Sequence, residues 1–210
     1  IFYKFMEFLS PKHILVSSII QSFLILFNFF GMGLEKGAGA ISGNLIGSNK
    51  QQYIPKLFLS GLKLTMIFAS VMFFIMVTFP DILVAMFLKN SESLFQTSLG
   101  VHLESFDDVY ISLKSALLIL AVYLTFENIR YLLCGLLTSA GDTFYILSTG
   151  LFSIWTFLLA PTYFFVFKPK ASVEIALYIW VFYSVLSIVP LLVRFMNGKW
   201  RKKTILNLAD

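Results

Sequence analysis

An all-α, polytopic transmembrane bundle of about five spanning helices is the fold class this sequence predicts, on three observations. First, 58% of its 210 residues are hydrophobic and only 13% charged, with mean hydropathy +0.84, whereas soluble domains carry about 25% charged residues. Second, the apolar residues fall in long runs, and about 20 of them at a rise of roughly 1.5 Å each match the hydrocarbon thickness of a bilayer. Third, the segments outside the runs hold most of the basic residues, the usual pattern at membrane boundaries.

The first apolar run covers about residues 13–46, after a short flank with Lys4, Glu7, Pro11 and Lys12. It is long for one straight span, and its second half is crowded with glycine. That crowding predicts a bend or break near Gly31 and Gly33, and close helix approach at Gly39/Gly43 and Gly43/Gly47. Gln21, Asn28, Glu35 and Ser42 recur every seven residues, a spacing that keeps one polar seam on a helix. A polar turn leads to Pro55 in the first turn of the second span, about 55–79, where Lys63 is read as a snorkelling cation. Residues 82–108 read as the main extramembrane connection, with Lys89, Glu92, Glu104, Asp107 and Asp108 solvated. The third span is about 110–138. The fourth, about 144–167, carries Ser148, Thr149, Ser153 and Thr156 at spacings that suit helix–helix hydrogen bonds, and Pro161, which predicts a kink. After the turn at Lys168-Pro169-Lys170 the fifth span runs about 173–196, interrupted by Pro190. It ends in a basic exit with Trp200 placed at the interface. The whole chain, 1–210, reads as one transmembrane unit.

Several function classes fall away. The single cysteine, Cys134, excludes an internal disulfide and a cysteine-based metal site. His13 and His102 are far apart, near predicted helix ends, so no metal cluster and no cofactor is expected. No nucleophile–base pairing or phosphate loop is present, and Gly31-Met32-Gly33 lacks the context of a dinucleotide site, so no catalytic residue is expected. The net charge of +5 sits largely after Met196, which suits cytoplasmic orientation rather than a nucleic-acid partner. With five spans, Lys50, Lys56, Arg194, Lys199, Arg201, Lys202 and Lys203 share one side. The opposite side holds Lys4, Lys12, Lys89, Lys168 and Lys170. By the positive-inside rule the C-terminus is cytoplasmic. A first residue of Ile1 rather than Met marks the chain as a fragment.

Within the third run lie Glu127 and Arg130. A charge at the bilayer centre costs about 2.5–3.5 kcal/mol on insertion scales, so such residues face a protein interior or a wet cavity. Tyr123, Glu127, Arg130 and Cys134 stand at i, i+4, i+7 and i+11, on one helix face. Two readings follow: a carboxylate that binds and releases a cation or proton, or a self-neutralising structural pair.

Four stretches resemble the C-terminal lobe of multidrug and toxic compound extrusion (MATE) transporters. Residues 31–49, GMGLEKGAGAISGNLIGSN, are similar to the small-residue end of the second helix of a lobe. Residues 79–88, FPDILVAMFL, resemble the exit of the next helix. Residues 126–143, FENIRYLLCGLLTSAGDT, resemble the tenth helix, with Glu127 at the acidic position and Gly141-Asp142-Thr143 in the cytoplasmic turn. Trp155 through Pro161 and Gly198-Lys199-Trp200 are similar to the last two helices. The resemblance implies helices eight to twelve of twelve, with the first helix of this lobe and the whole N-terminal lobe missing. Arg130 departs from the pattern, which usually has a neutral polar residue there. Its charge favours an ionised Glu127, against the desolvation that favours the neutral acid.

The function so implied is one half of a cation-coupled (Na+ or H+) secondary antiporter exporting organic, mainly cationic compounds from the cell (inner) membrane. Its ion- or substrate-binding residues would be Glu127, Tyr123, Asn28, Glu35, Gln21 and Arg130, with no metal held for catalysis. Its partners would be the lipid bilayer, the missing lobe and a small organic substrate. One alternative is a lipid-linked oligosaccharide flippase of the same superfamily, for which Arg130, Lys36 and Lys63 would make a more cationic cavity. Another is a non-transporting remnant or packing subunit.

Overall fold

The computed structural model describes Lys4, residues 11–85 and residues 106–200. Five helices are long and apolar enough to cross a membrane, and no strand occurs among the described residues. They are α1 (Pro11–Gly47), α2 (Ile54–Thr78), α3 (Phe106–Ser139), α4 (Thr143–Phe167) and α5 (Val173–Met196). A 3₁₀ turn, Gln51–Tyr53, leads into α2 with Pro55 in its first turn. The sequence expectations for Lys89, Glu92, His102 and Glu104 fall outside the described residues. At the edges of that connection, residues 80–85 are helical after a bend at Phe79, and α3 is already wound at Asp107 and Asp108.

α3 is the central pillar. Half of its most apolar window is buried inside the bundle, against 17% for α2 and α4, because α1, α2 and α5 all pack along it while α4 packs chiefly on α5. Two apolar clusters stack along its length. One joins Val16, Ile20 and Phe23 of α1 to Leu117, Leu120 and Leu124, with Met72 and Met76 of α2. The other joins Leu132, Leu133 and Leu137 to Ile54, Leu191, Phe195 and Trp200. The few residues of α3 between Leu124 and Leu132 hold the polar groups considered below.

Missing side chains let α1 and α3 touch backbone to backbone. A Cβ on Gly135 would overlap the carbonyl of Glu35 and stand 3.0 Å from its carbon. Opposite, a Cβ on Gly39 would lie 3.3 Å from the Gly135 carbonyl oxygen, and one on Gly31 would overlap Asn128 and Tyr131. The contact therefore runs through Gly31, Gly39 and Gly135. Gly43 and Gly47, expected at such a contact, have open space around them. The expected break near Gly31 and Gly33 is also absent: α1 is continuous, since packing against α3 explains Gly31 without a hinge.

Two further expectations change. Thr149 donates within its own helix, to the carbonyls of Tyr145 (2.7 Å) and Ile146 (3.1 Å), rather than to a neighbouring helix. Trp200 is buried against Phe195, and its indole N–H donates to the Phe195 carbonyl at 2.9 Å, so it does not stand out at an interface. Around Pro161, α4 has widened turns on both sides: it is π-helical over Ile154–Leu159 and Tyr163–Phe167. A π turn bonds i to i+5 and accommodates the missing N–H and the ring clash that would break an α-helix.

The turn between α3 and α4 is pinned to α5. Gly141, at φ 80°, closes α3 in the left-handed conformation, with Asp142 N–H bonded to the Leu137 carbonyl at 3.0 Å. Asp142 is fully buried and accepts from Arg194 Nε (2.5 Å) and Nη2 (3.1 Å). Arg194 also lies over the Tyr145 ring, whose hydroxyl donates to the Pro190 carbonyl at 3.1 Å. At the other end of the bundle Tyr110 and Lys114 of α3 reach Asp81 beyond α2. The Tyr110 hydrogen bond, then that of Lys114, hold the Asp81 carboxyl below its ordinary range.

Gly135→Ala is expected to cost about 1–3 kcal/mol through overpacking. Gly43→Ala, in open space, is expected to be neutral or to gain up to about 1 kcal/mol. Denaturant unfolding in detergent checks both, and equal stability of the two variants would refute the backbone contact. Arg194→Met, which strands a buried carboxylate, is expected to cost about 3–5 kcal/mol, most of it recovered in Asp142→Leu/Arg194→Met. The Asp81 tie favours the folded state above the ordinary carboxylate pKa and is lost as pH falls through the lowered value. Amide protection factors near Tyr110, corrected for the intrinsic slowing of exchange in acid, should accordingly fall on acidification, and not in Asp81→Asn.

Candidate functional site

Between the two apolar clusters, α3 presents two polar faces. The first holds Tyr123, Glu127, Arg130 and Cys134, as the spacing requires. Glu127 is 4% exposed. Arg130 grips it with a fork: Nε donates to Oε2 at 3.0 Å and Nη2 to Oε1. Arg130 Nη1 also reaches Cys134 Sγ at 4.0 Å, and the guanidinium lies 5.1 Å from the centre of the Tyr131 ring. Paired donation from a planar guanidinium is the strong form of this contact, and it offsets the desolvation of both charges. The carboxylate side chain is 5% exposed and the arginine side chain 22%, so the guanidinium is the more accessible partner. α5 closes this face: Tyr123 packs on Trp180 with ring centres 5.6 Å apart, and Tyr183 lies within electrostatic reach of Arg130 and Glu127.

The second face of α3 meets α1. Asn128 is 1% exposed, and neither its amide oxygen nor its amide nitrogen has a hydrogen-bond partner. Asn28 Oδ1 and Ser42 Oγ on α1 are likewise buried and unpaired. A buried polar group without a partner costs about 1–3 kcal/mol, so this seam is a place for water or a polar ligand atom. Glu35, half-buried, lines a recess of about 240 Å³ with Lys36, Gly39, Gly135, Thr138 and Ser139. Among the described residues it has neither a hydrogen bond nor an ion pair. It lies within electrostatic reach of Tyr131 and Cys134, which also feel Glu127 and Arg130.

Thus Glu127, Arg130 and Tyr123 share one face of α3, the Glu35 backbone meets Gly135 further along it, and Asn28 is an unpaired buried amide of α1. Gln21 is exposed on the surface of α1 and is not brought to this group. Asn128, Tyr131 and Tyr183 join it without having been singled out in the sequence. Asn128 had a visible signal, an amide in mid-span beside Glu127, but one residue along a helix turns it to a different face. Tyr183 had none, because its place depends on how α5 packs. A groove of about 480 Å³ between α1 and α2, lined by Phe29, Phe30, Leu34 and Leu57 among others, has no ionisable group in its wall and offers no comparable chemistry. No group of three or more acidic, histidine or cysteine side chains able to hold a metal occurs among the described residues.

The site is thus a charged pair gripped in the middle of a membrane-length helix, with unsatisfied amides beside it. The MatE family model matches residues 3–164, which takes in α1 to α3 and most of α4. Neither a curated protein nor a solved structure gives a significant match. The matched region holds every charged and amide group of the site, and the family consists of transporters rather than enzymes. The chain therefore belongs to the MatE family: it is a multi-pass membrane protein of the efflux-transporter class.

Proposed function

We propose that the chain is the C-terminal half of a cation-coupled antiporter, in which Na+ or H+ flowing inward drives export of an organic cation. Glu127 is the ion-responsive group, and Tyr123, Asn28, Glu35 and Arg130 supply polar contacts. One observation carries this reading: a carboxylate buried mid-helix between two apolar clusters and held by a single arginine. Changing the charge of that pair in a low-dielectric setting shifts the balance of inward- and outward-facing forms. The missing lobe would close the cavity from the other side, in a cell membrane with the C-terminus cytoplasmic.

The oligosaccharide flippase alternative draws on cationic groups. Arg130 is engaged with Glu127, which leaves the exposed Lys36 and Lys63 as a thin basis for an anionic substrate. The antiporter reading is the better supported.

Glu127→Gln in the full-length protein is expected to abolish ion-coupled efflux from energised vesicles while membrane abundance stays at the wild-type level. Undiminished efflux would reject the role of this carboxylate. Gln21→Ala, remote and exposed, is expected to leave efflux unchanged.

A further inference from the structure

Arg130 stands where a coupling cation would have to stand. Its fork takes both oxygens of Glu127, and of the two side chains it is the more exposed, 22% against 5%. Any cation approaching the carboxylate from solvent meets the guanidinium first. We infer that Arg130 is a tethered competitor for the Glu127 site, displaced when the coupling cation or proton arrives and received by Glu35 of α1. The inference rests on the antiporter reading and adds its regulation: it names the residue that sets how readily the site loads.

Three features of the geometry support the exchange. Glu35 is a carboxylate without a partner, half-buried at the edge of an open recess, so a second cation-accepting position exists and is vacant. It is also close. The Glu35 backbone touches Gly135, next in sequence to Cys134, and Cys134 Sγ is 4.0 Å from Arg130 Nη1. Finally, the path is cushioned: the guanidinium already lies over the Tyr131 ring, and Tyr131 and Cys134 both lie within electrostatic reach of Glu35 as well as Glu127. A planar delocalised cation slides over an aromatic face more easily than a compact ammonium does. The groups that feel Glu35 are Tyr131 and Cys134 on α3, with Lys36 beside it on its own helix.

Charge is conserved in the exchange. Neutralising Glu127 with a proton or Na+ frees one positive side chain, and Glu35 holds the one unpaired negative charge in the group. The transfer crosses from a contact within α3 to a contact between α1 and α3, so loading the site adds a charged tie between two helices whose backbones already touch. A cation of low affinity, unable to displace the guanidinium, leaves that contact unmade.

Cys134, the sole cysteine in the sequence and buried beside Arg130, reports the movement without any transport. In the full chain in detergent, Glu127→Gln mimics the neutralised carboxylate and should raise the rate of Cys134 alkylation by maleimide by about fivefold or more. Adding Glu35→Gln to it should return the rate toward wild type, since the arginine then has nowhere to go. Equal rates in Glu127→Gln and the double variant would overturn the exchange. If Glu127→Gln unfolds the protein, Arg130→Lys serves instead: it keeps the charge but loses the fork, and should lower the cation concentration for half-maximal efflux. An unchanged cation dependence in that variant counts against the competitor role. Absence of any ion-driven efflux in wild type, with the labelling pattern intact, would instead reject the antiporter reading and leave the exchange standing.

Discussion

The approach of α1 to α3 at Glu35 and Gly135 governs the rest of this molecule. At that point a carbonyl oxygen lies where a side chain would otherwise be, so the two helices are as near as their backbones allow. Lipid tails are as apolar as leucine, and helices in a bilayer associate through close van der Waals fit and hydrogen bonds rather than through the hydrophobic effect. A glycine contact maximises that fit. It also fixes the rotation of α3, because only one face can present Gly135 to α1. With that face set, Glu127 and Arg130 turn toward α5, and Asn128 toward α1. The positions of all the mid-membrane polar groups follow from one small residue.

Energetically the two polar faces are unlike. On one, opposite charges satisfy each other through paired hydrogen bonds, and the guanidinium has further company in the Tyr131 ring and the Cys134 sulfur. On the other, amide and hydroxyl groups are buried with their capacity unused. The first face resists change and the second invites it. A transporter needs both, since a cavity that must open and reclose has to contain groups whose partners are not permanent.

Much of this was legible in the residues alone, for local reasons. Apolar runs of membrane length foretell the helices, and the i, i+3 spacing of Glu127 and Arg130 foretells their contact, because both depend only on helix geometry. What depends on another helix was not legible. Gly43 and Gly47 have the spacing of a contact motif yet face open space, whereas the isolated Gly135 meets the backbone of α1. Thr149 has the composition of an interhelical donor and bonds its own backbone, since a back-bond to residue i−4 is always within reach. Trp200 reads as an interfacial anchor, but α5 ends close enough to Phe195 for the ring to stack and its N–H to be satisfied. Tyr183 became part of the site solely through the docking of α5 on α3.

The wide turns in α4 alter the phase of that helix. At about 3.6 residues per turn, nine residues are two and a half turns, so Ser153 and Thr162 would emerge on opposite sides of a regular helix. Both are buried here, because the widened coil between them winds through fewer degrees per residue. Tyr163, Phe164 and Phe165 lie in succession on the outer surface. Rewinding the coil to ordinary pitch would swing one of the two buried hydroxyls out of the interior, so the widened turns keep Ser153 and Thr162 in register.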